Sequence, residues 1–410
     1  MGNTLPDGGG AATKEDSVPW KATSVVEERV RFIERWQEGR EDFARLCQRF
    51  GVSRKTGYKR ILRFHAEGWD GLSDHSRAPL RSPTRTALEV EELVVEARRA
   101  HVTWGPRKLI PWLRERYPGR SLPAPSTAGG ILQRAGLVRK RRRGRHAAAW
   151  GQPFAEAAAP NDTWCADFKG WFRTRDGQRC DPLTMADASS RYLLVCQGLP
   201  EPRLGRVRPV FERAFREYGL PEVIRTDNGP PFASTALGGL SRLSVWWIKL
   251  GIVPERIAPG HPEQNGRLER LHRTLKAETA APPAATLRAQ QRAFDAFRTE
   301  YNQERPHEAL DQRPPARCYE PSPRAYPSHI PGFAYEAEVT VRRVRTNGQI
   351  KWRGGLLYLS HVLCGERVGL VPQDDRFWTI RLGPVHIATL DQATGIVLHT
   401  PTHVLPMSLG

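Results

Sequence analysis

The chain lacks the long apolar runs that a membrane span requires. No stretch of about 18 apolar residues occurs anywhere in its 410 residues. Residues 1–22 are polar and glycine-rich, and they lack the apolar centre of a secretion signal, so we expect them to form a disordered tail. These absences predict a cytoplasmic protein without a membrane partner.

Cysteine is scarce and scattered. The chain has 6 cysteines, and none belongs to a Cys-x-x-Cys pair or to a short Cys/His cluster, which argues against a structural zinc site. A long chain without a secretion signal is also not typical of a disulfide scaffold.

Acidic residues are outnumbered by basic ones. There are 44 Asp and Glu against 63 Lys and Arg, which gives a formal net charge of +19. This balance favours a polyanionic partner, and nucleic acid is the first candidate. Charge alone leaves two alternatives, a basic protein of a large assembly and a merely soluble protein.

Residues 23–72 predict a helix-turn-helix DNA-binding domain. Apolar residues recur at helical spacing, Gly51 provides a turn, and Ser53 is a good N-cap for a third, basic helix. The alternative is a three-helix bundle with a solvated basic face. The candidate DNA contacts on the third helix are Arg54, Lys55, Lys59 and Arg60.

A second helix-turn-helix domain is predicted over residues 83–138, with helices at 88–100, 106–116 and 126–135. The alternative is a helical spacer, because the third helix carries few charges. A basic linker, 139–158, follows, and its opening run can neutralise several DNA phosphates or merely solubilise the chain. The predicted phosphate contacts are Arg139, Lys140, Arg141, Arg142, Arg143 and Arg145.

Residues 159–312 read as a mixed α and β core with a trailing helix, and 330–405 as a small β-barrel of short strands, SH3-like in type. Hairpin turns are predicted at 175–177 and at Asn347-Gly348. Spacing alone gives the core only as α/β or α+β. The predicted strands are 163–168, 180–186, 192–197, 222–226, 252–257, 339–344, 349–352, 356–359 and 376–382; the predicted helices are 203–218, 235–250, 264–278 and 287–300.

Three acidic residues lie in recognisable stretches. Asp167 and Asp227 occupy strand positions, and Glu269 lies on a later helix, so the three can converge on a pair of divalent metals. With the stretches around them, the helix-turn-helix phrases and the motif at 301–310, the chain resembles the insertion-sequence transposases with a retroviral-integrase-type DDE core. The resemblance covers nearly the whole chain.

The resemblance implies a ribonuclease-H-like core with a mixed five-stranded sheet and helices on both faces, preceded by all-α helix-turn-helix units. It implies catalysis by Asp167, Asp227 and Glu269, which would hold two Mg²⁺ or Mn²⁺ ions per active site, without a small-molecule cofactor. The activity would be cleavage at the 3′ ends of a mobile element and strand transfer into target DNA. The partners would be double-stranded DNA, as terminal repeats and target, and further copies of the chain, in the bacterial nucleoid.

The third acid requires a choice. Glu263 lies 36 positions after Asp227, the usual spacing in the superfamily, whereas Glu269 lies 42 after it and matches the family's phrase around the catalytic Glu. The two are about 240° apart around a helix, so they cannot both face the metals. We therefore choose Glu269. The predicted DNA contacts beside the acids are Asn228, Gln264, Asn265, His272, Arg273 and Lys276.

Two alternatives to a transposase stay open. One is a catalytically silent, transposase-derived DNA-binding regulator, which loss of a carboxylate would favour, although all three are present. The other is a nuclease of the ribonuclease H type, which would cut without joining. Paired helix-turn-helix units argue against the nuclease, because such units read duplex DNA in the major groove.

Overall fold

The computed structural model describes residues 24–75, 86–138, 157–258 and 266–399. The chain divides into two compact units, Met1–Arg85 and Thr86–Gly410, and each is described by itself. The predicted disordered tail and several predicted contact residues lie outside the described residues, so those predictions are not tested. They are Arg139, Lys140, Arg141, Arg142, Arg143, Arg145, Gln264 and Asn265, together with the alternative acid Glu263.

The first unit is a bundle of three helices, α1 (Val25–Glu38), α2 (Phe43–Arg49) and α3 (Arg54–Glu67). The side chains of Ser24, Asp42 and Ser53 accept backbone hydrogen bonds as N-caps, and Ser53 is the N-cap that the sequence predicts. A 3₁₀ turn, Gly68–Leu72, closes the bundle. The apolar core consists of Phe32, Ile33, Leu46, Cys47, Ile61 and Leu72.

The second unit starts with another helical bundle. Its helices are α4 (Leu88–Ala100), α5 (Pro106–Arg116) and α6 (Pro125–Arg134), so the first two match the prediction and the third is shifted by one residue. Both α5 and α6 begin with proline, which removes one of the N–H donors that the first turn of a helix leaves without an intrahelical partner. Trp104 is fully buried at the centre of this bundle.

A mixed sheet forms the core of the second unit. Strands β4, β3 and β1 pair antiparallel, and β5 and β6 continue from β1 in parallel. A two-residue strand, β2, pairs with β3, so the sheet has six strands where five were predicted. The turn predicted at 175–177 joins β2 to β3 rather than β1 to β3. The strands are β1 (Thr163–Phe168), β2 (Phe172–Arg173), β3 (Arg179–Asp187), β4 (Leu193–Leu199), β5 (Val223–Thr226) and β6 (Val253–Arg256).

Helices cover both faces of this sheet, as a ribonuclease-H-like core requires. Side chains alternate along β1, so Trp164 packs into the cluster of α7 (Leu204–Tyr218) and α8 (Arg242–Lys249), while Cys165 faces α9 (Gly266–Thr279) and α10 (Leu287–Gln303).

The helix predicted at 235–250 is wrong over its first half. Gly238 and Gly239 adopt left-handed backbone, with φ of 64° and 67°, so the chain makes a 3₁₀ turn there instead of a helix. Ser241 then caps α8 through a capping box with Ser244.

The C-terminal region is a β domain, but a closed barrel is not confirmed. Five antiparallel strands lie in the order β13-β12-β11-β10-β7, and β8 and β9 form a separate hairpin. Among the described residues no pairing joins the edge strands β7 and β13. The strands are β7 (Thr340–Arg343), β8 (Gln349–Trp352), β9 (Gly355–Tyr358), β10 (Arg367–Pro372), β11 (Phe377–Leu382), β12 (Val385–Asp391) and β13 (Ile396–His399).

The hairpin predicted at Asn347-Gly348 is also wrong, because the two strands that flank this turn do not pair with each other. The turn exists, with Gly348 at φ 78°, but β7 pairs with β10 and β8 pairs with β9. The domain is fixed to the core through α8, whose Val245 and Ile248 enter its apolar cluster. Within the described residues, no helix has the length and apolar character needed to span a membrane.

Candidate active site

The parallel pairing of β1 and β5 brings two carboxylates side by side. Cys165 is the register partner of Arg225, so two residues further along, Asp167 reaches the level of Asp227 just past the end of β5. Both side chains leave the sheet on the face covered by α9, because Cys165 points to that face and alternation repeats every second residue. The site therefore lies at one edge of the sheet under α9.

The electrostatics show that these carboxylates are close neighbours. Burial, together with the negative charges of Asp227 and Glu269, raises the pKa of Asp167 to about 7, against a backbone hydrogen bond from Phe168 that lowers it. Burial also raises the pKa of Asp227, although the Gly229 N–H donates to its Oδ1 at 3.1 Å. The carboxylates thus concentrate negative charge in a partly desolvated site.

Glu269 lies in the first turn of α9 and is exposed to solvent. Its charge acts on Asp167, but within the described residues no group of three His, Cys, Asp or Glu side chains is close enough to hold a metal ion. The three acids are therefore neighbours without forming a closed ligand set. Their chemistry fits a hard divalent cation, since carboxylate oxygens are the donors that Mg²⁺ and Mn²⁺ prefer.

His272 was predicted to contact DNA, and its position corrects that prediction. The side chain is buried, and burial together with the nearby Lys169 lowers its pKa to about 4, so the ring is neutral. Its Nε2 lies 2.7 Å from Thr184 Oγ1, and that hydroxyl donates to the Asp167 carbonyl oxygen. His272 Nδ1 lies 3.9 Å from Asp167 Oδ2, too far for a hydrogen bond.

The imidazole therefore packs behind the acidic site rather than against a ligand. Thr184, which links it to β1, carried no sequence signal, because a threonine on a strand is ordinary until its cross-strand partner, Asp167, is known.

Basic side chains lie around the acids. Lys276 and Arg273, which are predicted to contact DNA, are exposed on α9. Burial and the charge of Lys276 lower the pKa of Lys169, which places two ammonium groups near one another. Lys169 was missed in the sequence, although it follows Asp167 by only two residues. Asn228 is exposed and donates from Nδ2 to the Ile257 carbonyl oxygen at 2.7 Å, which ties the loop after Asp227 to the end of β6.

The first unit presents part of its predicted DNA-binding set. Arg54, Lys55 and Lys59 are exposed on α3, and exposed Tyr58 and Leu62 stand between them. This face is the one that a helix-turn-helix domain turns to the major groove.

Arg60 departs from the prediction. Its side chain turns inward, where its Nη2 lies 3.7 Å from Asp74, and burial beside Arg29 and Arg63 lowers its pKa. Arg60 therefore holds the end of the bundle rather than facing outward with the other cations.

Family models match most of this architecture. Two models described as Integrase core domain match residues 157–262 and 250–315. A model described as Helix-turn-helix domain matches residues 28–79, and one described as Homeodomain-like domain matches 56–132. The matches thus cover both helical bundles and the sheet with its surrounding helices.

The chain is 31% identical to the insertion element IS476 uncharacterized 39.2 kDa protein of Xanthomonas euvesicatoria, over 58% of this chain and 66% of that protein. It is 31% identical to the insertion element IS407 uncharacterized 31.7 kDa protein of Burkholderia multivorans, over 45% of this chain and 65% of that one. The chain thus covers just under two thirds of the length of these relatives. A solved structure of the HTLV-2 integrase catalytic core domain in complex with magnesium aligns with 40% of this chain and 99% of its own, at 17% identity and a TM-score of 0.32.

The two integrase-core matches, the two matches ahead of them and the insertion-element relatives together show the family: the chain belongs to the insertion-sequence transposases that carry a retroviral-integrase-type core.

Proposed function

We propose that the chain is a DNA transposase that cuts the 3′ ends of its mobile element and joins them to target DNA. The observation that carries this proposal is the placement of Asp167 and Asp227 at one level of two parallel strands, with the charge of Glu269 acting on Asp167. Family membership supports the same activity.

The three acids would bind a pair of Mg²⁺ or Mn²⁺ ions. Such a pair, when bound, stabilises the attacking and leaving oxygens of a phosphodiester displacement. Asp167 and Asp227 would supply ligands from the rigid sheet, and Glu269 would complete the set from α9. The attacking group would be water for cleavage and a DNA 3′-hydroxyl for joining, so no side-chain nucleophile is required.

The cations around the acids would position the DNA strand. Lys169 and Lys276 repel one another in the protein alone, and a phosphate group placed between them would relieve that repulsion. Arg273 and Asn228, both exposed, extend this surface along α9 and the loop after β5. These four residues would hold the scissile phosphate beside the carboxylates.

Recognition of the element's ends would fall to the helical units, with α3 reading the major groove through Arg54, Lys55 and Lys59. The basic run at 139–145 would add contacts to phosphates, and Gln264 and Asn265 would contact DNA near the active site. Because two ends must be brought together, the protein would act as a homo-oligomer on DNA. Association with the bacterial nucleoid would follow from this binding.

The test is an assay of purified protein on labelled duplex that carries the sequence flanking its own gene, with Mg²⁺ or Mn²⁺. We expect metal-dependent 3′ nicking and joining by the wild type and loss of both in Asp227→Asn and in Glu269→Gln. Glu212→Gln is the matched control, because Glu212 forms a surface pair with Arg216 on α7, on the opposite face of the sheet. It should leave both reactions unchanged.

Each failure has its own meaning. Activity retained in Glu269→Gln would move the third ligand to Glu263. Cutting without joining would identify a nuclease. Tight, salt-sensitive binding of DNA with no cleavage under either metal would refute the enzyme and leave a transposase-derived regulator.

A further inference from the structure

The helical bundle of α4, α5 and α6 contacts the core along one short segment of chain, and Glu115 of α5 also pairs with Arg317 beyond it. This segment, residues 300–308, comprises the end of α10 and the turn after it, and we call it the docking segment. It overlaps the family-like motif at 301–310, which the proposed chemistry leaves without a role. Three independent groups of contacts join it to the bundle.

The first contact is made by α5. Lys108 donates a hydrogen bond from its ammonium group to the Pro306 carbonyl oxygen. Burial, together with the positive charge of Arg305, lowers the pKa of Lys108 to about 8. Burying the Lys108 ammonium group costs desolvation free energy that an exposed lysine on α5 would not incur. The buried position therefore indicates a specific contact between α5 and the docking segment.

The second contact is aromatic and polar. His101, at the end of α4, stacks on Trp104 with ring centroids 3.9 Å apart, and its Nδ1 lies 2.8 Å from Glu300 Oε1. The Trp112 indole N–H donates to Glu304 at 3.4 Å. Two carboxylates one turn apart at the end of α10 thus engage two aromatic side chains of the bundle.

The third contact connects the bundle to the active-site helix. Arg305 is only 7% exposed and donates to Glu278 on α9 at 3.1 Å, while its guanidinium lies 5.8 Å from the centre of the Trp104 ring. Thr103 of the bundle donates to the same Glu278 carboxylate. Glu278 and the candidate metal ligand Glu269 lie on one helix, so the joint and the active site share a rigid element.

The docked position leaves the outer surface of α6 free of these contacts. The bundle turns α5 and the end of α4 toward the docking segment, whereas Ser126, Thr127 and Gln133 on α6 are exposed. In a helix-turn-helix unit the last helix is the one that enters the major groove. The joint therefore holds the bundle without covering the helix that would contact bases.

We propose that the docking segment fixes the second helix-turn-helix unit at a set position relative to α9, so that the joint determines the distance along DNA between the bases read by α6 and the bond that is cut. The part that concerns DNA rests on the proposed function. The residues of the joint are positioning residues, since none of them touches the reacting atoms.

The experiment loosens the joint in the full-length protein and measures distance and cleavage separately. The test variant combines Lys108→Met with Glu300→Gln. The matched control is Arg107→Gln, because Arg107 is the neighbour of Lys108 on α5 and its pair with Glu308 lies at the rim, with side chains 77% and 76% exposed. Spin labels are attached through Glu96→Cys on α4 and Arg292→Cys on α10, both exposed, with Cys318 and Cys364 changed to serine.

We expect one narrow distance between the labels in the wild type and in the control, and a broad distribution in the test variant. On end-sequence duplex we expect the test variant to bind with unchanged affinity, but to cut at the wild-type position about tenfold more slowly and at neighbouring positions as well. The control should cut at the wild-type position alone. Circular dichroism melting would confirm that all three proteins are folded.

The outcomes separate the claims. A broad distance distribution in the wild type, or a narrow one in the test variant, would refute the claim that the docking segment fixes the bundle. A broadened distribution with an unchanged cleavage position would overturn its control of the cleavage site. A wild type with a narrow distribution that cuts no DNA would refute the proposed function, and the control of cleavage with it, while the joint itself would stand on the measured distances.

Discussion

Asp187, the last residue of β3, has a side chain that is 1% exposed and accepts three hydrogen bonds. Asn161 N–H donates to Oδ2 at 2.8 Å, and the Ser190 N–H and hydroxyl donate to Oδ1 at 2.7 and 2.6 Å. Asp187 therefore ties the residues before β1 to the turn after β3. At the residue scale, it is a structural acid close in sequence to the catalytic candidates.

We expect Asp187→Ala to lower the free energy of unfolding by about 3 kcal/mol or more, because it leaves three buried donors unpaired. Ser190→Ala removes only one donor and should cost about 1 kcal/mol. Urea unfolding of both variants, followed by tryptophan fluorescence, measures the difference. Equal losses would show that the carboxylate does not organise the turn.

Asp167 should make the metal-free protein less stable as pH rises. Its folded pKa of about 7 lies above the ordinary value of 3.8, so its contribution is favourable below about pH 4 and is lost as pH rises through 7. Asp167→Asn should therefore be more stable than the wild type at pH 8 in chelator, by on the order of 1–2 kcal/mol.

Melting temperatures measured from pH 4 to 8 test this prediction. The advantage of Asp167→Asn should fade toward pH 4, and added Mg²⁺ should stabilise the wild type but not the variant. A variant that is less stable than the wild type at pH 8 in chelator would contradict the electrostatic account.

At the scale of elements, capping residues and glycines in the sequence indicate where helices begin. Ser53 caps α3 as the sequence predicts, and its side chain accepts from the Thr56 N–H. The start of α8 was misplaced because apolar spacing was followed through Gly238-Gly239, whose left-handed backbone interrupts it. Gly-Gly followed by Ser241 was the available signal.

Two mid-helix glycines should respond oppositely to alanine. A Cβ on Gly57 of α3 would lie 2.7 Å from Cys47 Sγ and 2.9 Å from Phe43 Cζ, whereas the nearest atom to one on Gly130 of α6 is the end of Arg134 at 3.8 Å. Gly57→Ala should destabilise its unit by about 1–3 kcal/mol through overpacking. Gly130→Ala should gain up to about 1 kcal/mol of helix propensity.

Thermal melting of the two variants beside the wild type tests this pair. Each serves as the control for the other, since the chemical change is identical and only the surroundings differ. A gain in Gly57→Ala would mean that α1, α2 and α3 are less tightly packed than the distances indicate.

The edge strand β4 is completed by a helix rather than by another strand. Asn302 on α10 accepts from the Leu193 N–H at 2.8 Å and donates to the Leu193 carbonyl oxygen at 3.0 Å. Gln291 accepts from Gly198 N–H and donates to the Cys196 carbonyl oxygen further along. These side chains satisfy backbone groups that an edge strand leaves open. Helical spacing could not reveal this, because the pairing is long-range.

For the whole molecule, the order of elements followed from the sequence more readily than their pairing. Asp167 and Asp227 could be chosen from local stretches, but their placement at one level depends on the register of β1 against β5, across many intervening residues. The same reason explains the wrong pairing predicted at Asn347-Gly348, since β7 pairs with β10 and not with its neighbour in sequence. Long-range pairing is set by packing, which local propensity does not contain.

The net charge of +19 leads to a prediction about DNA binding as a whole. Each phosphate neutralised on duplex DNA contributes about 0.9 to the slope of log affinity against log salt concentration. Changing the six basic residues at 139–143 and 145 to glutamine should therefore make that slope shallower by up to about 5, and it should weaken binding to all sequences alike.

Lys55→Gln with Lys59→Gln provides the comparison on α3, where both side chains are exposed. This pair should change the slope by about 2 at most, because only two phosphate contacts can be lost. It should nevertheless reduce discrimination between end sequence and random duplex, since α3 would enter the major groove. Titrations at several salt concentrations on both duplexes measure slope and discrimination together. An unchanged slope in the sixfold variant would mean that the basic run keeps the protein soluble without touching phosphate.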